Sequence, residues 1–163
     1  MARKFLADVK GYEERIIELP FIIESDALDS IDSTRIRELK DLKPGTKLNY
    51  ILDVAPKSFE LEEIRSIYQD SKAIFVNAVM GLTPLFGEGT KAMYKLIDAN
   101  QSAQKLFGGG DTIQDFKELL PGVFAKAVND PKYYFFTGGG AILDAIEQGS
   151  PFKMKPVQAL IKD

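Results

Sequence analysis

Lys105-Leu106-Phe107-Gly108-Gly109-Gly110-Asp111-Thr112 and Tyr134-Phe135-Phe136-Thr137-Gly138-Gly139-Gly140-Ala141 share one grammar. Each runs from a short apolar strand into three glycines and then into a segment of helical period. Glycine lets the backbone approach an anion closely and adopt φ > 0. The following helix offers unpaired N–H groups and the positive end of its dipole. Each turn is therefore a candidate anion cradle. Two of them on neighbouring parallel strands would converge at the carboxyl ends of those strands, where open α/β sheets bind ligands. In a single turn of this kind Asp111 or Thr112 would serve only as a helix cap. The matched pair favours a phosphate site instead, with Thr112 able to donate its hydroxyl to a phosphate oxygen and Asp111 placed as a hard oxygen ligand for Mg²⁺.

On either side of these turns β-rich apolar runs alternate with helical stretches, the pattern of βαβ units. The strands are expected at Arg15–Ile23 (interrupted by Pro20), Leu48–Val54, Ala73–Asn77, Lys105–Phe107 and Lys132–Phe136. Leu61, Ile64, Ile67 and Tyr68 share a helical face after Ser58, and Met93, Leu96 and Ile97 share another after Thr90. Ser58 and Thr90 are the expected caps of these helices. Ile113, Phe116, Leu119 and Leu120 form a third stripe ended by Pro121-Gly122, with a short continuation over Phe124–Val128. Ala141, Ile142, Ala145 and Ile146 form a fourth, closed by Gly149-Ser150-Pro151. The polar stretch from Asp26 to Gly45 reads as a loop with a helix around Thr34–Leu42. The expectation is one domain over residues 1–163, a Rossmann-like three-layer α/β/α fold with a mainly parallel sheet.

Composition narrows the chemistry. The 163 residues hold no His and no Cys. This rules out zinc sites of the common kinds, Ser-His-Asp and Cys-His nucleophile pairs, and disulfides. Any metal must be held by oxygen. With 21 Lys+Arg against 24 Asp+Glu the net charge is −3, which gives no basic field for nucleic acid. No apolar run approaches the roughly 20 residues that span a bilayer. Met1-Ala2-Arg3-Lys4 leads into apparent structured sequence without a signal-peptide core, so the expected localisation is cytoplasmic, with neither nucleic acid nor membrane as partner.

Other motifs yield to plainer readings. Gly87-Glu88-Gly89-Thr90-Lys91 lacks the Gly-Lys-Ser/Thr order of a Walker A loop. Asp26, Asp29 and Asp32, with Glu60, Glu62 and Glu63 later, lack the glycine and terminal Glu of a calcium loop and read as solvated faces. The aromatic run Tyr133-Tyr134-Phe135-Phe136, without basic interleaving, reads as a buried strand, and Phe107 and Phe124 as core.

Gly108-Gly109-Gly110-Asp111-Thr112 and Thr137-Gly138-Gly139-Gly140-Ala141, in this order, resemble the two glycine signatures of phosphoglycerate kinase. Upstream, Phe75-Val76-Asn77-Ala78-Val79-Met80-Gly81 and Gly89-Thr90-Lys91-Ala92 resemble the family's V-W-N-G-P-x-G and G-T-K-A segments. Leu52-Asp53-Val54-Ala55-Pro56-Lys57-Ser58 is similar to its L-D-I-G-P-x-S, and Leu19-Pro20 falls where the family has L-P-V-D. From about Arg15 onward the chain is similar to the later half of the family's C-terminal, nucleotide-binding domain.

The resemblance implies binding of MgATP or MgADP for phosphoryl transfer between ATP and 3-phosphoglycerate, a step of glycolysis. It implies that Asn77, Gly108, Gly109, Gly110, Asp111, Thr112 and Thr137 line the nucleotide site, with Asp111 on Mg²⁺. Gly138, Gly139 and Gly140 would present helix amides to the phosphoryl group in flight, as the catalytic elements.

Some family features have no counterpart in these residues. After Gly81 comes Leu82-Thr83-Pro84-Leu85-Phe86, without the Glu that the family places near the ribose. Ala55 replaces a glycine, Val76 a Trp, and Ala78-Val79 a Gly-Pro pair. Neither the family's G-G-A-K-V-S-D-K segment with its phosphate-neutralising lysines nor its N-terminal substrate domain has a match. The chain alone is accordingly expected not to turn over. Its expected partners are ATP or ADP and either the missing half of the kinase or a second copy of itself, since a half-domain exposes sheet edge or face. A different class of function, suggested by Pro84 and Ala55, is a non-catalytic phosphate- or nucleotide-binding or assembly module.

Overall fold

Phe107, the last apolar residue before the first glycine turn, is wholly buried, and the computed structural model, which describes residues 2–161, is built around it. Its strand, β5 (Gln104–Gly108), is the middle of a three-stranded parallel sheet with β4 (Ala73–Val76) and β6 (Tyr133–Phe136) on either side. The register sets Val76 beside Phe107 and Phe107 beside Phe135. Around Phe107 the rings of Phe116 (4.7 Å between centroids), Tyr94 (5.6 Å), Phe135 (5.7 Å) and Tyr133 (6.1 Å) form one aromatic cluster. Tyr94 comes from α3 (Glu88–Ala99) and Phe116 from α4 (Gly110–Leu119). Phe124, on α5 (Pro121–Ala127), meets Phe116 edge-on. Flanked by these helices, the sheet has the expected Rossmann-like α/β form. The opposite face carries Phe75, Leu106, Tyr134 and Phe136 and is only partly covered, with Tyr134 46% exposed.

The earlier strands form a separate sheet that the sequence reading did not foresee. β1 (Phe21–Ser25) lies between β2 (Thr34–Glu38) and β3 (Tyr50–Val54), antiparallel to both. Thr34–Leu42, expected as a helix, is instead β2 followed by a short 3-10 turn at Leu39–Asp41. The physical reason is alternation. Arg35 and Arg37 are two residues apart, so both reach the Glu24 carboxylate on one face, while β-branched Thr34 and Ile36 suit the extended chain. β1 begins only at Phe21, because Pro20 has no N–H to give a ladder; its carbonyl accepts from Leu39 N.

The two expected caps have other work. α2 (Glu62–Asp70) starts after Leu61 with no side-chain cap. Ser58 Oγ instead accepts from Phe21 N (3.0 Å) and donates to Phe21 O (3.1 Å), tying the 3-10 turn Pro56–Glu60 to β1. Thr90 lies inside the first turn of α3 and its hydroxyl accepts from Met80 N. Asp53 of β3 takes over at that helix end, accepting from Gly89 N at 2.9 Å. The remaining helices are α1 (Ala2–Asp8), α6 (Gly139–Glu147) and α7 (Lys155–Ile161). No helix among the described residues is long and apolar enough to cross a membrane.

Candidate functional site

The carboxyl ends of β4, β5 and β6 run into Asn77, Gly108-Gly109 and Thr137-Gly138, and all three converge. The geometry is tight enough to forbid side chains. A Cβ at Gly139 would lie 2.3 Å from Asn77 Oδ1 and 2.8 Å from Gly109 N, and one at Gly109 would lie 3.0 Å from Asn77 Oδ1. Gly109 also holds φ +100°, a conformation L side chains rarely adopt. Its N–H donates to Phe136 O at 2.7 Å, so Gly109 stitches the two turns together and has no amide left for an anion.

Both helices that follow start without a side-chain cap, so neither Asp111 nor Thr112 acts as one. The first amides of a helix have no intrahelical acceptor. Gly110, Asp111 and Thr112 on α4, and Gly139 and Gly140 on α6, are in that position. Nothing lies within 4 Å of a Cβ built at Gly110 or Gly140. Glycine there costs roughly 0.5–1 kcal/mol relative to alanine in a helix, and no neighbour in the chain requires it. The open space in front of these two residues suits a bound group.

The other expected residues divide by exposure. Asp111 and Thr137 are exposed, Asn77 is half-buried and Thr112 is buried, with its carbonyl accepting from Tyr94 Oη. Asp111 stands in the first turn of α4, and among the described residues no group of three or more acidic side chains could hold a metal. A cation here would need oxygens from its ligand as well as from Asp111.

Two buried carboxylates, Asp53 at the start of α3 and Asp115 on α4, escaped the sequence reading of the site. Asp53 is 2% exposed; burial pushes its carboxyl above the usual range, and the N–H groups of Gly89 and Val54 pull in the opposite direction. Asp115 lies one helical turn beyond Asp111, and burial raises it too, helped by the charges of Glu118 and Asp111 and opposed by a hydrogen bond from Thr83. Its i, i+4 relation to Asp111 was visible in the sequence. The loop that covers it, folding back from β4, was not. Tyr94, under the same helix, has its phenol raised by burial and by Asp115.

Comparison with known proteins gives a consistent answer. The family model described as "Phosphoglycerate kinase" matches residues 1–149. The phosphoglycerate kinase of Limosilactobacillus reuteri is 35% identical over 98 residues, 59% of this chain and 22% of that protein. That of Nitratidesulfovibrio vulgaris is 30% identical over 133 residues, 80% of this chain and 30% of that protein. Among solved structures, phosphoglycerate kinase from Coxiella burnetii superposes with a TM-score of 0.67 at 20% identity, covering 92% of this chain and 36% of that one. The enzyme from Pyrococcus horikoshii gives 0.56 at 21% identity, covering 98% of this chain and 37% of that one. The chain thus spans between a fifth and two fifths of the length of the proteins it resembles. With the family model matched across most of its residues and paired glycine turns converging as described, the chain belongs to the phosphoglycerate kinase family.

Proposed function

We propose that this chain carries the nucleotide-phosphate part of a phosphoryl-transfer site, binding MgATP or MgADP for exchange with 3-phosphoglycerate, and that it does not turn over alone. The observation that carries this reading is the meeting of the two glycine turns at Asn77, which points the uncapped starts of α4 and α6 at one place. Phosphoryl transfer needs positioning and charge stabilisation and no protein nucleophile, which suits a chain without His or Cys. In this reading the amides of Gly110, Asp111 and Thr112 hold the nucleotide phosphates. Gly138, Gly139 and Gly140 face the transferring group, and Asn77 and Thr137 line the space between. Gly108 and Gly109 give the turn its shape.

Asp111 fits Mg²⁺, which is usually bound by one or two carboxylates together with substrate phosphates. When bound, the ion would neutralise phosphate charge. The lysines that would complete this neutralisation, and the phosphoglycerate site, belong in this reading to polypeptide beyond these residues. Without cations opposite the moving charge, catalysis by these residues alone is severely reduced.

Calorimetric titration with MgADP tests the proposal. Binding is expected, and it should be lost both in Asp111→Ala and when Mg²⁺ is omitted. Absence of heat up to millimolar nucleotide would overturn it. A second reading, a phosphate-binding or assembly module without nucleotide specificity, draws on the absence of Lys and Arg from the cleft beside Asp111. It requires pyrophosphate to bind as tightly as ADP.

A further inference from the structure

β3 belongs to the antiparallel sheet, yet its buried Asp53 reaches across to the start of α3 in the parallel half. Both oxygens are engaged: Oδ2 accepts from Gly89 N at 2.9 Å and Oδ1 from Val54 N at 2.8 Å. Two glycines make room for this junction. A Cβ at Gly89 would lie 2.6 Å from Asp53 Oδ1 and 2.0 Å from Val54 O, and one at Gly81 would lie 2.9 Å from Asp53 Cγ and 1.6 Å from Phe86 O. Neither glycine has positive φ, so it is close contact that excludes a side chain at both. The space beside Asp53 is lined by Ile23, Leu85, Phe86 and Glu88 and by no Lys or Arg. Burying a carboxyl without a basic partner is costly, and an apolar side chain would fill the place more cheaply. What an apolar side chain could not do is hold the amides of two separate segments.

The loop that leaves β4 is caught at the same junction. Met80 N donates to Thr90 Oγ1 at 3.1 Å, one residue from the amide that Asp53 accepts, and Leu82 N donates to Leu52 O at 2.9 Å, one residue from Asp53 itself. Between them Gly81 packs on the Asp53 side chain. Three consecutive loop residues are thus fixed by α3, Asp53 and β3 in turn. Asn77, three residues upstream of Met80, stands where the two glycine turns meet, with its Oδ1 2.3 Å from a Cβ built at Gly139 and 3.0 Å from one at Gly109. Packing this close transmits displacement, so a loop that shifts by tenths of an ångström disturbs both turns.

We infer that Asp53 is a positioning residue of the phosphate site: from the antiparallel sheet it fixes the start of α3 and the loop after β4, and through that loop it holds Asn77 against the glycine turns. The inference rests on the phosphate-binding reading above and adds to it a residue that touches no ligand. It acts through Gly89, Thr90 and Met80, and it gives the antiparallel sheet a part in the site.

Two variants and two measurements test it. Asp53→Asn keeps the size of the side chain but turns one acceptor into a donor that faces an N–H. Thr90→Val leaves Asp53 in place, removes only the hydroxyl that Met80 N uses, and decides the question alone if Asp53→Asn does not fold. Without ligand, amide exchange of Met80 and Leu82 is expected to accelerate in both variants, and that of Gly89 in Asp53→Asn, while the β5 amides keep their protection. Calorimetry with MgADP is expected to show about tenfold weaker binding by each variant, the scale on which residues remote from a ligand alter its affinity. Unchanged MgADP affinity in a folded variant overturns the inference and leaves the phosphate site standing. Exchange that accelerates uniformly along the chain assigns Asp53 to global stability and overturns it as well, whatever the affinity. Failure of the unaltered chain to bind MgADP removes both the positioning role and the reading beneath it.

Discussion

The two sheets are held together by different forces. At the centre of the antiparallel sheet Glu24, 1% exposed, accepts from Arg35 Nε (2.9 Å), Arg37 Nε (2.6 Å) and Asn49 N (2.9 Å). Phe21 and Leu52 of the same sheet are buried, but Ile36 and Ile51 stay in solvent, at 57% and 47% exposure. The parallel sheet is centred on apolar packing: Phe107 is wholly buried and stacked on the equally buried Phe116 of α4, and polar groups lie at the strand ends. At one end Lys105 lies over the Tyr133 ring while Tyr133 Oη donates to Asp98; at the other are the glycine turns. A site that must hold amides within tenths of an ångström is better placed on the close-packed half than on one joined by solvent-edged ion pairs.

The largest way to break this contrast is Phe107→Ala. Removing a wholly buried ring from the cluster is expected to cost about 3–5 kcal/mol, read from urea denaturation. Amide exchange should show the loss concentrated in β4, β5 and β6, with β1 and β2 much less affected. Equal loss of protection in both sheets would show that they unfold as one unit and that the contrast has no energetic meaning.

Acid should act on the other half. Arg35 hydrogen bonding, then the Asn49 N–H and Arg37, hold the Glu24 carboxyl at about 2 against an ordinary value of 4.5. A depressed carboxyl stabilises the fold above its unfolded pKa and loses that contribution as pH falls towards its folded value. Exchange of the β1 and β2 amides should therefore accelerate as pH is lowered from 4.5 towards 2, after correction for intrinsic rates. Glu24→Gln should lower the melting temperature at neutral pH by less than Phe107→Ala does, and should flatten the dependence in that window. A variant that keeps the full acid dependence would place the titrating group elsewhere.

The same division explains how far the chain could be read without its structure. β5, β6 and their glycine turns are local features: apolar strand, glycines and helix follow one another within a dozen residues, and the turns themselves sit where the pattern placed them. β2 is the opposite case. Arg35 and Arg37 make sense as a strand only once Glu24 is known to lie across from them, and nothing near Thr34 announces that. Ser58 and Thr90 have the right position for caps, but their hydroxyls bind Phe21 and Met80, partners brought near by folding. Asp115 shows the same limit inside the site region. Its spacing from Asp111 is plain in the sequence, whereas its burial depends on the loop carrying Thr83.

Asp115 also gives the smallest and most discriminating prediction, because it places an unmatched carboxylate within the otherwise well-satisfied half. Burial disfavours its charge, Glu118 and Asp111 add like charge to its surroundings, and among the described residues only Thr83 donates to it. Its carboxyl is raised above the ordinary 3.8. A raised carboxyl contributes stability that is fully present below the unfolded pKa and is lost as pH rises through the folded one. Without ligand, Asp115→Asn should therefore match the unaltered chain at low pH and become the more stable of the two as pH climbs above 3.8. The gain should be small, about 0.2–0.5 kcal/mol for relief of the i, i+4 repulsion from Asp111 alone. Thermal melts of both proteins across that range would measure it. A variant less stable than the original at neutral pH would mean that Asp115 already has its partner within the fold, and the parallel half would then hold no unmatched carboxylate.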